Sequence, residues 1–237
     1  MKVYAHRGAS GYQPENTIAA FREALARGSQ AIELDVHNVE GELIVFHDRR
    51  LSKKHIGDKL TCDLTLIELA ELNVEGEPIP TLWQVLTFIN GRCEVNIELK
   101  GDNTVKPMIA MYPRIINELN FSNDQLLFSS FKHPELAQLK QAIPQVKLAP
   151  LIDGVPLNLA DVGSLLQADA IHLSLNFVNQ AMIDDAHRRE IKVQVFTVNH
   201  PDDVQLMIEM GVDGIFSDYP DKAMALISKL KSSVSQP

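Results

Sequence analysis

Short apolar, β-branched runs recur eight times along the chain, separated by stretches with helical periodicity, and this alternation limits the possible folds more than any other feature. The runs fall at about 2–6, 30–37, 93–99, 125–130, 146–152, 169–175, 191–198 and 213–217. Helical patterns occupy about 16–27, 81–90, 104–119, 132–142, 157–167, 178–188, 201–210 and 221–231. Strands alternating with helices imply parallel βαβ units, because a parallel neighbour is reached only by a crossover. Eight strands also close into a barrel whose interior side chains can fill. The 237 residues suit a single (β/α)8 TIM-barrel domain spanning 1–237. An open doubly wound sheet competes, but eight near-regular units disfavour it.

Local signals support these elements. Asn16 or Thr17 can cap the first helix, whose apolar positions Ile18, Phe21, Ala24 and Leu25 follow the 3.6-residue period. Pro201-Asp202-Asp203 suits a helix first turn, where proline is tolerated and acids meet the dipole. The tail from Lys229 to Pro237 is polar and is expected to fray. Between the second strand and the helix near 81–90 a small insertion, at about 48–80, breaks the pattern. A hairpin turning at Glu40-Gly41 leads into it, and a short helix near 64–72 and a loop from Glu75 to Pro80 follow. An insertion after a barrel strand should overhang the mouth where barrel enzymes keep their chemistry.

The net charge of −9 disfavours nucleic acid and stable association with an anionic membrane surface, while leaving a small phosphorylated substrate open. No run approaches the ~20 apolar residues of a membrane span. Cys62 and Cys93 lack metal-type spacing, and the first strand begins near residue 2, leaving no room for a removable leader. Both features point to a reduced, cytoplasmic protein. Oligomeric state leaves no mark.

Polar residues interrupt three consecutive strands at the same end. His6 and Arg7 close the first, Glu33 and Asp35 lie near the end of the second, and Asn96, Glu98 and Lys100 run to the end of the third. Residues i and i+2 of a strand share a side, so Glu33 and Asp35 face one cavity, as do Glu98 and Lys100. Three converging carboxylates repel one another, and a hard divalent cation with oxygen ligands resolves this. A structural network with Arg7 and Lys100 is the bland alternative, but two cations do not balance three buried acids. His6 and His47 are the candidate acid and base, with Asp48 placed to orient the His47 ring. His37 is in phase with Glu33 and Asp35 and can line the mouth, while His172 reads as a hydrogen-bonded barrel residue. His55, His133, His187 and His200 fall in loops or on polar helical faces, and Gly211 and Gly214 read as turn residues toward the barrel's bottom.

Taken in order, these residues resemble the glycerophosphodiester phosphodiesterase family. His6-Arg7-Gly8 followed by Pro14-Glu15-Asn16-Thr17 is similar to its opening signature. Glu33-Leu34-Asp35-Val36, His47-Asp48, Pro80-Thr81-Leu82 and Ile97-Glu98-Leu99-Lys100 continue it. Phe196-Thr197-Val198-Asn199, Gly211-Val212-Asp213-Gly214-Ile215 and Ser217-Asp218 extend the likeness over nearly the whole chain. The resemblance implies a barrel with a small insertion after its second strand, hydrolysing a glycerophosphodiester to an alcohol and sn-glycerol 3-phosphate. It implies Glu33, Asp35 and Glu98 as ligands of one divalent cation, Mg2+ or Ca2+. His6 and His47 become the acid–base pair, and Arg7 and Lys100 hold phosphate oxygens. Phe196 stands where the family often has tryptophan, so the surface against the glycerol carbons is smaller. The run Leu51-Ser52-Lys53-Lys54-His55 also departs from the family pattern, and both departures bear on the leaving group more than on the chemistry. A lysophospholipase D-like diesterase and a non-catalytic phosphate-ester binding barrel are the competing readings. An aldolase-type barrel lacks its Schiff-base lysine in the sixth strand.

Overall fold

The computed structural model describes residues 1–54 and 56–234; His55, expected in a loop, and 235–237 lie outside the described residues. The strands are β1 (Lys2–Ala5), β2 (Ala31–Val39), β3 (Glu42–Val45), β4 (Asn73–Val74), β5 (Glu77–Pro78), β6 (Glu94–Leu99), β7 (Leu126–Ser130), β8 (Lys147–Ile152), β9 (Ala170–Ser174), β10 (Lys192–Phe196) and β11 (Gly214–Ser217). The helices are α1 (Ile18–Ala26), α2 (Leu66–Ala70), α3 (Leu82–Ile89), α4 (Val105–Glu118), α5 (His133–Ala142), α6 (Asp161–Leu165), α7 (Gln180–Arg188), α8 (Pro201–Glu209) and α9 (Pro220–Val234).

Eight strands are parallel neighbours in the order β1-β11-β10-β9-β8-β7-β6-β2, and β2 returns to β1 through Ala5↔Ile32. That last pairing closes a TIM barrel and excludes the open sheet. The two-residue period of a strand then sorts the side chains. Ile32, Leu34 and Val36 of β2, with Val95, Ile97 and Leu99 of β6, pack outward against the helices and are fully buried there. The intervening Glu33, Asp35, Asn96 and Glu98 therefore point into the barrel. Lower in the interior Tyr4 stacks on Phe216 with ring centroids 4.8 Å apart, and Asn96 donates to Ser129 Oγ at 3.0 Å.

The insertion begins with β3, antiparallel to the outer half of β2 from Val36↔Val45 to Val39↔Glu42. Its turn is Glu40-Gly41, both left-handed at φ 51° and 92°, as a two-residue hairpin requires. A cluster of its own, including Ile44, Phe46, Leu64, Leu69 and Val74, holds this segment against the barrel. Residues 75–80 are not the plain loop expected. β4 and β5 pair across Glu75-Gly76, whose φ values of 52° and 91° form a second tight turn.

One of the two caps offered for α1 serves, and two other helix expectations need correction. Thr17, not Asn16, caps α1 by accepting from the Ala20 amide; the Asn16 side chain is spent on Asp35. The helix expected over 157–167 shrinks to α6, since Leu159 turns left-handed at φ 48° and closes a turn onto the Pro156 carbonyl just before it. The tail expected to fray from Lys229 is helical to Val234, and buried Ala223 and Ile227 anchor α9 to the barrel core. Among the described residues no helix is long and apolar enough to cross a membrane, and both cysteines are free thiols.

Candidate active site

The C-terminal ends of β1, β2 and β6 meet at one mouth. Register sets Glu33 beside Asn96 and Asp35 beside Glu98, so neighbouring strands bring acids side by side. Oxygens of Glu33, Asp35 and Glu98 lie within 4.8 Å of one another, and all three residues are buried. Arg7 takes a left-handed backbone conformation, φ 54°, and its amide donates to Glu33 Oε2 at 2.8 Å. Its Nε is 3.4 Å from Asp35, while Nη1 reaches Glu15 at 3.1 Å. Lys100 Nζ lies 2.8 Å from Glu98 and 3.6 Å from Asp35. Asn16, unpredicted in this role, donates to Asp35 Oδ2 at 3.0 Å.

The charges do not balance. Burial, then Asp35 and Glu98, push the Glu33 carboxyl well above the usual carboxylate range. Burial and Asp35 likewise raise Glu98 to about 7 against the pull of Lys100. Burial opposes ionisation of Asp35 as well, but Arg7 and Lys100 outweigh it and hold its pKa at about 2. One acid thus takes most of the available positive charge and two are left short. The donors present fit a hard cation. They are all carboxylate oxygens, and opposed ligands around Ca2+ at 2.3–2.6 Å stand about 4.6–5.2 Å apart, a little less around Mg2+.

Both candidate imidazoles are held through Nδ1 by a carboxylate, which leaves Nε2 for the cavity. His47 Nδ1 is 3.0 Å from Asp48 Oδ1, as the sequence suggested. Its pKa is lowered, chiefly by burial and against the pull of Asp35, so the ring is neutral at pH 7. His37 stands behind it, with Nε2 3.1 Å from the His47 carbonyl, and supports the loop. His6 Nδ1 is 2.7 Å from Asp218 Oδ1, a partner 212 positions away. Ser10 Oγ and Asn199 Nδ2 donate to the same carboxylate at 2.9 and 2.6 Å. Burial opposes ionisation of Asp218, but these donors and His6 prevail and hold it at about 2. Only its place in the quoted Ser217-Asp218 pair marked it in the sequence, with no role attached.

His6, Arg7, Glu33, His47, Glu98 and Lys100 line one cavity of about 210 Å³. Phe196 lines it too, edge-on to Phe131 at 6.0 Å between ring centroids, and Leu151 and Phe216 complete an apolar wall. His172 is also at this cavity's floor, but it is not the hydrogen-bonded residue expected. It is fully buried, and the polar group beside it is the Gln194 side chain, whose Nε2 donates to the Tyr4 hydroxyl at 3.1 Å; neither ring nitrogen makes a well-formed hydrogen bond. Burial drives its pKa down to about 3, so it stays neutral against the Phe216 ring.

Two carboxylate-held imidazoles beside three buried acids, at the C-terminal mouth of a TIM barrel, make a candidate catalytic centre. Residues 6–222 match the glycerophosphoryl diester phosphodiesterase family, and the chain belongs to it. A glycerophosphodiester phosphodiesterase of Caldanaerobacter subterraneus is 32% identical, over 96% of this chain and 98% of its own length. One of Bacillus altitudinis is 32% identical over 97% and 99%. The structure of an Oleispira antarctica phosphodiesterase in complex with the product sn-glycerol-3-phosphate is similar at a TM-score of 0.87, with 30% identity over 96% of this chain and 97% of that one.

Proposed function

We propose that this chain hydrolyses glycerophosphodiesters to an alcohol and sn-glycerol 3-phosphate, using one divalent cation, Mg2+ or Ca2+, at Glu33, Asp35 and Glu98. The observation that carries it is the trio of buried carboxylates that, among the described residues, share Arg7 and Lys100 as their ion-pair partners, beside two oriented imidazoles. The product bound to the Oleispira antarctica relative supports the substrate class. A bound cation would neutralise charge on the phosphoryl oxygens.

The protein's own groups do the rest. Arg7 and Lys100 hold non-bridging oxygens, and Phe196 with its apolar neighbours shelters the glycerol carbons. Of His6 and His47, one takes a proton from the attacking oxygen and the other gives one to the departing alkoxide, each worth about 10²–10⁴-fold. Asp218 and Asp48 keep each ring's Nδ1 protonated and its Nε2 aimed inward. The whole chain, 1–237, acts as one catalytic domain in the cytoplasm, in keeping with its free thiols.

A second reading, a lysophospholipase D-like enzyme on bulkier lipid diesters, draws on exposed Phe131, Val155, Leu157 and Phe177, which follow β7, β8 and β9 on the catalytic face. One panel tests both: release of sn-glycerol 3-phosphate from deacylated diesters, and of lysophosphatidate from acylated ones, with EDTA and with Mg2+ or Ca2+ restored. Metal-restored release of sn-glycerol 3-phosphate is expected. Turnover untouched by EDTA sinks the metal assignment, and release from acylated substrates alone favours the second reading.

A further inference from the structure

Beside the catalytic cavity lies a larger one of about 420 Å³, which shares His47, Glu98, Lys100 and Phe131 with it. Its outer wall comes from the insertion, through Arg49, Lys53 and Cys62, and from the segments after β6 and β7, through Asp102 and Lys132. The two spaces differ in chemistry. Leu151, Phe196 and Phe216 make one side of the smaller cavity a surface for carbon. The larger cavity carries the cations Arg49, Lys53 and Lys132 on its own wall and the anions Asp48 and Asp102. Lys132 pairs with Asp102, and Lys53 Nζ lies 3.5 Å from Asp48. Arg49 is left as the cation in excess on that wall among the described residues. A phosphodiester set across the shared residues extends its glycerol into the smaller space and its other alcohol into the larger.

We propose that the larger cavity seats the departing alcohol and selects alcohols that carry a carboxylate or phosphate of their own; this presupposes that the chain is a glycerophosphodiesterase. An anionic head group meets in Arg49 a guanidinium whose donors no acid of the cavity holds in a close ion pair, Asp102 acting on it only at longer range while paired to Lys132. A primary ammonium reaches Asp102 or Asp48 only by displacing Lys132 or Lys53. A quaternary ammonium gains least. Its recognition relies on a cage of aromatic faces, and among the described residues Phe131 is the one phenyl, phenol or indole ring on this cavity, already 5.3 Å from Lys100 Nζ.

Glycerophosphoserine, glycerophosphoethanolamine and glycerophosphocholine isolate these terms, since serine differs from ethanolamine by one carboxylate. At saturating metal, kcat/KM should favour serine over ethanolamine by about tenfold, the scale of one charge-assisted hydrogen bond at a partly open site, with choline poorest. Arg49→Gln should bring the serine-to-ethanolamine ratio close to one, and Arg49→Glu should reverse it. An even or reversed preference in the wild type overturns the assignment, as does a ratio that survives both variants. Failure of all three substrates is a different result, because it condemns the diesterase activity itself.

Discussion

Replacing Glu98 by glutamine should stabilise the metal-free protein above neutral pH while removing its activity. Glu98 is buried, and burial followed by Asp35 raises its pKa from 4.5 to about 7. A carboxyl that is harder to ionise in the folded state costs nothing below the unfolded value of 4.5. It penalises folding increasingly as pH rises from 4.5 to 7, and in full beyond that. The difference between 7 and 4.5 is 2.5 pH units, which at 1.36 kcal/mol per unit gives an upper bound of about 3 kcal/mol. Glutamine keeps the shape but deprives Lys100 of its nearer carboxylate, leaving Asp35 at 3.6 Å, and this takes back about 1 kcal/mol. The net gain at pH 8 in EDTA is then about 1–2 kcal/mol, or roughly 2–8 °C in Tm for a chain of this size. Thermal melts of both proteins in EDTA at pH 8 and pH 4.5 should show that gain at the higher pH alone. Added Ca2+ should raise the wild-type Tm more than the variant's. A variant no more stable than wild type at pH 8 in EDTA would mean that Lys100 already satisfies Glu98, and the case for an unmet positive charge would collapse.

Glu33→Gln should abolish metal-dependent release of sn-glycerol 3-phosphate while leaving the circular dichroism spectrum unchanged; wild-type turnover in EDTA would remove the cation from the mechanism. His6→Ala and His47→Ala should each lower kcat by at least ~10²-fold. A p-nitrophenyl leaving group, which needs little protonation, should rescue only the variant lacking the acid, and equal rescue of both or of neither contradicts a divided role. Asp218→Asn replaces the carboxylate that holds His6 by a neutral amide and should cost about 10–10²-fold in kcat, the scale of one charged hydrogen bond, with KM little changed. An unaltered kcat would make Asp218 a structural residue only.

The number of strands, their alternation with helices and the side of the strand each acid occupies were legible in the sequence because they depend on local periodicity. Glu33 and Asp35 share a side by the strand's two-residue repeat, and the same repeat carries Glu98 and Lys100. The eight strands expected from apolar runs match those observed to within a residue or two at nearly every end. Helix ends held less well. Burial against the barrel extends α9 through a polar tail, and a left-handed Leu159 truncates α6, neither of which composition reveals.

What only the tertiary structure decided are the pairings between distant positions. The His6–Asp218 contact joins the first strand to the segment after the last, and exists because the barrel closes β1 against β11. The choice between Asn16 and Thr17 as cap was open in the sequence, since either side chain can accept an amide. The fold settles it by placing Asp35 within 3.0 Å of Asn16. His172 shows the limit most plainly. A mid-strand histidine is expected to find a partner, but the groups that surround it come from distant strands: Gln194 of β10 stands beside it and donates to Tyr4 of β1. The sequence determines which side of a strand each residue occupies; only closure of the barrel determines what it faces there, because the facing groups come from strands that the chain reaches many helices later.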